Sequence, residues 1–152
     1  MSGWTNRGKY RALGWSFCGD TIPTNFYVAL VTKAVVPTAK TKTFSELTEI
    51  AAGNGYDSGG YQIAPNHTDF DVHIEDDDFD RAFIQIKDII WNASGGPIPA
   101  SGDGAHYAVL TDNNATIVDR DVFFTWDLEA DKQTPDGQPF TLEDSTFRIE
   151  ES

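Results

Sequence analysis

Ala82-Phe83-Ile84-Gln85-Ile86-Lys87-Asp88-Ile89-Ile90-Trp91 opens the stretch on which the reading of this chain turns. Its first half alternates: Phe83, Gln85 and Lys87 share one face of a strand, while Ile84, Ile86 and, past a local irregularity, Ile89 belong to the other. The loop from Ser94 to Gly102, rich in Gly and Pro, breaks the ladder. Ala105-His106-Tyr107-Ala108-Val109-Leu110-Thr111 resumes it, Asp112-Asn113-Asn114 turns it, and Asp121-Val122-Phe123-Phe124-Thr125-Trp126-Asp127-Leu128 follows. Period-two alternation in aromatic and β-branched residues, punctuated by turn formers, predicts antiparallel β-structure. On the last segment Phe123 and Thr125 are expected on one face and Phe124 and Trp126 on the other. Rings on both faces imply a core on one side and a cover on the other, or else a subunit interface or glycan-stacking platform.

Working outward, Phe26-Tyr27-Val28-Ala29-Leu30-Val31-Thr32, a short segment around Tyr61-Gln62-Ile63, and the pairs Pro139–Leu142 and Thr146–Ile149 read as further strands. Asp69-Phe70-Asp71-Val72-His73-Ile74 alternates strictly, with Phe70, Val72 and Ile74 expected inward. Thr43-Phe44-Ser45-Glu46 has the capping-box spacing, which predicts a small inserted helix burying Phe44, Leu47 and Ala51. Thr5 or Asn6 caps a short N-terminal helix through Phe17, with Tyr10, Leu13 and Phe17 on one stripe. Gly8 and Gly14 weaken that helix by about 1 kcal/mol each, so it needs a surface to pack on. The expected fold is mainly β. It is an antiparallel jelly-roll-like β-sandwich of about eight strands over residues 21–152, preceded by a helical arm over residues 1–20.

The net charge of -13 is unevenly placed. Residues 1–42 hold six of the eleven Lys and Arg (Arg7, Lys9, Arg11, Lys33, Lys40, Lys42) and one acid, Asp20, leaving the remainder strongly acidic. An acidic body disfavours nucleic acid, whose phosphates require cations. The basic start suits an acidic surface, on another copy or on a different protein. No apolar run is long enough to cross a bilayer, and Met1-Ser2-Gly3-Trp4 has no signal-peptide core, so the chain is expected to be made and kept in a cytosol. Cys18 is the single cysteine, which excludes an internal disulfide and a cysteine metal cage.

Chemistry-bearing motifs are sparse. Asp76, Asp78 and Asp80 have the spacing that begins a calcium loop, but Arg81 and Lys87 stand where that loop needs Gly and Glu. A looser oxygen-ligand site, drawing on Asp69 or Asp71, is the remaining candidate, set against a solvated turn. His67, His73 and His106 lie at no zinc-site spacing and read as surface residues, His73 on the polar face. No serine sits in a nucleophile elbow, and the glycines at 53, 55, 59 and 60 do not open a helix as phosphate-binding loops must. No catalytic residue and no cofactor is assigned. With 24 acids, paired carboxylates for glycoside cleavage stay open as a three-dimensional question.

Several blocks carry a family resemblance. They are Asn25-Phe26-Tyr27-Val28-Ala29-Leu30-Val31-Thr32, Pro37-Thr38, Phe44-Ser45-Glu46-Leu47-Thr48-Glu49-Ile50, Gly53-Asn54-Gly55-Tyr56 and Gly59-Gly60-Tyr61. The later Asp88-Ile89-Ile90-Trp91, Ala93–Pro99 and Ala108–Asp112 follow in the same order. From Asn25 to Leu142 the chain resembles small virion structural proteins of tailed bacteriophages. The resemblance implies a non-enzymatic capsid decoration (cement) protein, made in the host cytoplasm and carried on the virion. Its expected partners are the major capsid protein and further copies of itself, as a homotrimer. The alternative is a tail-fibre or baseplate component presenting a glycan- or receptor-binding sandwich. A carbohydrate-active enzyme or binding module is the rival from another class. The arm lies outside the shared blocks, and Trp4, Arg7, Lys9, Arg11 and Trp15 are its expected attachment residues.

Overall fold

In the computed structural model, which describes residues 2–150, the mainly β, antiparallel sandwich-like architecture is what the chain adopts. A short edge strand β1 (Gly3–Trp4) leads into helix α1 (Asn6–Leu13), and Gly14–Cys18 continue it as one wider π-turn. The remaining strands are β2 (Phe26–Val31), β3 (Tyr61–Ile63), β4 (Val72–Asp76), β5 (Arg81–Ile86), β6 (Ile89–Asn92), β7 (Ala105–Thr111), β8 (Val122–Lys132), β9 (Pro139–Leu142) and β10 (Ser145–Glu150). They form a five-stranded sheet in the order β1-β8-β7-β2-β3, a three-stranded sheet β10-β5-β4, and a pair β6-β9.

The stretch that anchored the sequence reading divides at Lys87-Asp88. Residues before it pair with β4 and β10, and those after it with β9. The irregularity expected between Ile86 and Ile89 is therefore a change of sheet. Both isoleucines are fully buried all the same.

The five-stranded sheet is covered on both faces, and period two sorts its residues between two apolar clusters. Val28, Leu30, Ala108 and Leu110 enter the main cluster with Trp91, Phe140 and Ile86. Ala29, Val31, Tyr107 and Val109 enter a smaller one under Phe44 and Leu47. Phe123 departs from its expected face. Thr111 lies opposite Val122 and Leu110 opposite Phe124, so Phe123 is the extra residue of a β-bulge. The bulge puts Phe123 into the main cluster beside Phe124 and Trp126, and the rings expected on two faces share one core.

The inserted helix is a single 3-10 turn, Phe44–Glu46. Its capping box forms as read, but Leu47 turns extended, and the Thr32 N–H then donates to the Thr48 carbonyl and the Ile50 N–H to the Leu30 carbonyl. Pairing at the edge of β2 outcompetes a second helical turn there. A second departure concerns β4. Phe70 lies before the strand, its N–H bonded to the Asn66 carbonyl, so the alternation does not run through. His73 faces Ile84 across the ladder, while Ile74 is exposed. Gly60 makes the turn into β3 possible: its φ is +86°, and a Cβ there would sit 2.0 Å from the Val28 carbonyl oxygen.

Candidate functional site

The arm is held by the bulge. Phe123, unpaired in the ladder, offers its carbonyl to the Thr5 N–H at 3.0 Å, and the Thr5 hydroxyl donates to the Val122 carbonyl at 2.6 Å. The same hydroxyl accepts from the Gly8 N–H at 2.8 Å, which is the helix N-cap. Gly8 is the contact point: a Cβ there would lie 2.1 Å from the Phe123 carbonyl oxygen. The residue that weakens the isolated helix is the one that lets it lie against the sheet.

This choice of face decides where the arm's side chains go. Trp4 packs edge-on against Phe124 and Phe147, and its Nε1–H donates to the Arg148 carbonyl at 2.9 Å. Trp15 packs edge-on against Phe26 and Phe123. Arg11 binds Asp121 through Nε and Nη2 at 2.8 and 2.7 Å, and Arg7 reaches the same carboxylate at 3.8 Å. Hydrogen bonding to Asp121 raises the Arg11 pKa above its ordinary value. Four of the five expected attachment residues thus fasten the arm to its own body, and Lys9 alone among them is exposed. The stripe expected to seek cover faces out, with Tyr10 65%, Leu13 59% and Phe17 82% exposed.

Beside the stripe runs an open groove of about 890 Å³ between the arm and β10. Trp4 and Phe124 form part of its lining, Leu13 and Phe17 flank it from the arm, Ile149 flanks it from β10, and Lys9 is at its rim. A second cleft, about 370 Å³, lies where the five- and three-stranded sheets meet. It is lined by Trp15, Phe26, Phe70 and Phe147, with His67 and His73 stacked at 6.0 Å. His73, expected as a surface residue on the polar face opposite Phe70, Val72 and Ile74, is exposed but borders this cleft. The shift of phase after Phe70 brings it here.

The acidic run Glu75–Asp80 forms the end of β4 and the β4–β5 hairpin turn. Asp76 is tied to Arg81 at 2.8 Å, Asp78 is exposed, and Asp80 adopts φ 49°. Asp69 accepts from Lys87 and from the Ala64 N–H, which hold its carboxyl below the usual range, so it does not join the run. Among the described residues no group of three or more His, Cys, Asp or Glu side chains is placed to hold a metal ion. The looser cation site therefore does not assemble. Phe79, at the tip, is 67% exposed, with the Arg81 guanidinium 4.8 Å from its ring centre.

Two polar arrangements escaped the sequence reading. Arg120, buried, stacks 3.9 Å over Tyr27 and donates to the carbonyls of Asn114 and Gly59. It borders an open pocket shared with Tyr61, Gln62 and Asn92. Nearby, the buried Tyr56 hydroxyl donates to Glu49 and accepts from the Leu30 N–H, and burial pushes its pKa well up. On the far end His106 Nδ1 lies 2.7 Å from Asp131, which also binds Lys33. Asp131 is held below the usual carboxylate range by Lys33 first and His106 second. No local pattern marks these groups, because each also needs a partner remote in sequence: Gly59 for Arg120, Leu30 for Tyr56, and Asp131 for His106 and Lys33. No protein-family profile matches the chain, and no curated protein or solved structure shows significant similarity to it.

Proposed function

We propose that this chain is a non-enzymatic virion structural protein of a tailed bacteriophage, a decoration protein that binds and stabilises the outer surface of the head. The observation that carries the reading is the outward apolar stripe Tyr10-Leu13-Phe17 on an arm fixed to a rigid β body. An exposed contiguous apolar face beside a cation is the mark of a protein contact. The blocks between Asn25 and Leu142 that resemble virion proteins supply the class of partner. In this reading the sandwich is the spacer and the arm's outer side is the adhesive. A symmetric oligomer, a trimer on a threefold position of the shell, repeats a modest patch so that weak contacts add by avidity.

The polar pocket bordered by Arg120, Tyr61, Gln62 and Asn92 favours a second reading, a tail-fibre or baseplate component that takes a glycan there. Copy number separates the two. A particle reconstruction that shows hundreds of copies on the head supports decoration. A handful at the tail supports the alternative, and none in particles removes both. Purified Tyr10→Ser with Phe17→Ser is expected to keep its fold and lose particle binding.

A further inference from the structure

We infer that the groove between the arm and β10 takes the β4–β5 hairpin tip of a second copy of this chain, with Phe79 inserted among the apolar side chains and the tip's carboxylates against Lys9. The inference rests on the preceding reading only in treating the chain as a repeating building block, and it is tested in solution without particles.

The two surfaces are complementary in shape and in chemistry. The groove is concave and apolar, with Trp4, Leu13, Phe17, Phe124 and Ile149 around it. The tip is convex and presents one large ring, Phe79. Its flanking residues Asp77, Asp78 and Asp80 are all exposed. The groove's rim carries Lys9, which has no ion-pair partner among the described residues, and Arg148, which is paired with Glu150 at 2.9 Å. An aromatic anchor ringed by acids thus meets an apolar slot with a free ammonium at its edge. Centre and rim match the usual anatomy of a protein contact.

The tip is also prepared for insertion. Arg81 binds Asp76 at 2.8 Å and lies over the Phe79 ring, so the turn and its ring are ordered before any partner arrives. Preorganisation of this kind removes part of the entropic cost of binding. Phe79 does not serve its own core: it stands 67% exposed, whereas of the other phenylalanines only Phe17 is exposed and the rest are buried or half-buried. The net charge of -13 opposes association at long range, but at physiological ionic strength the Debye length is about 8 Å, so local complementarity decides.

Because tip and groove are different surfaces, the contact is either heterologous, closing into a ring, or used twice across a twofold axis. Sedimentation velocity over a dilution series tests it with the wild type, Phe79→Ser, Phe17→Ser, and an equimolar mixture of the two variants. The wild type is expected to associate reversibly. Each variant alone should dissociate about thirtyfold more readily or remain monomeric, with the thermal midpoint of the dilute, dissociated wild type. In the mixture the intact tip of one variant meets the intact groove of the other, and a species of two chains returns. Lys9→Glu replaces Phe17→Ser as the groove variant if the latter loses its fold. A monomeric wild type, a Phe79→Ser protein that associates normally, or a mixture that recovers nothing overturns the inference. Normal association of the Phe79→Ser protein would indicate stripe packing on stripe. A chain that associates through Phe79 but never enters particles retains this contact and loses the virion reading. Particles decorated by a Phe79→Ser protein that is monomeric like its wild type do the reverse.

Discussion

The five-stranded and the three-stranded sheets treat their apolar residues differently. In the first, β7 and β8 bury nearly every side chain from Tyr107 to Thr111 and from Val122 to Trp126, because an apolar cluster covers each face. In the second, β4, β5 and β10 bury mainly the end near Ile86 and Ser145. They run on past the body to leave Ile74, Phe79 and Ile149 exposed. The arm repeats the contrast within one element: Thr5, Gly8 and Gly14 are buried, while Tyr10, Leu13 and Phe17 are not. Intramolecular packing accounts for the first set in each case. The exposed set stays outside both apolar clusters of the isolated chain, as the proposed contact by assembly requires.

Substitutions at the buried side should cost stability, and those at the exposed side should not. Gly8→Val is expected to have the largest effect. Its side chain would overlap the Phe123 carbonyl, lift the arm, and lower stability by about 3 kcal/mol. For a chain this size that is roughly 6–12 °C in the thermal midpoint, with a red shift in the emission of Trp4 and Trp15. Tyr56→Phe leaves the buried Leu30 N–H without its acceptor and takes from Glu49 one donor, those of Ser58 and Gly59 remaining, for about 1–3 kcal/mol in denaturant unfolding.

Asp121→Asn weakens the pairing with Arg7 and Arg11. Those two cations are 30% and 39% exposed, so the expected loss is only about 1 kcal/mol, smaller still in high salt. The Asp69–Lys87 pair is more modest. The Asp69 carboxyl titrates below its ordinary value in the folded chain, so its contribution is present above about pH 4 and fades as pH falls through the folded pKa. Asp69→Asn should flatten that acid limb in a pH series of unfolding midpoints. Tyr10→Ser is the smallest, within about 0.5 kcal/mol of the wild type. A large loss there would mean that the outer stripe serves the fold after all.

The strands were legible where period two is uninterrupted. Ala105–Thr111, Tyr61–Ile63 and the closing pair stand within a residue of their expected positions. What escaped was set by single backbone events. The bulge at Phe123 moves one ring to the other face, and no alternation in Val122-Phe123-Phe124-Thr125 announces it. Gly8 reads from sequence as a cost to the helix, and only the carbonyl beneath it turns that cost into the docking point. With that face inward, the helix periodicity stands as read, and the stripe, whose partner the sequence left open between its own sheet and a neighbouring subunit, does not pack on the sheet. Trp4, Arg7, Arg11 and Trp15 became anchors for the arm, and Tyr10, Leu13 and Phe17 became its surface. The Asp76-Asp78-Asp80 spacing was visible, but Arg81 at the turn makes it an ion-paired hairpin.

The central claim is that the arm's outer side is covered when the protein works. Cys18, the only cysteine, is exposed one residue beyond Phe17 and reports on that side without any substitution. Its rate of reaction with a small thiol reagent should fall at least about tenfold between the dilute chain and the assembled form, in concentrated solution or on particles, because association removes the thiol from solvent. An equal rate in both states would contradict the account.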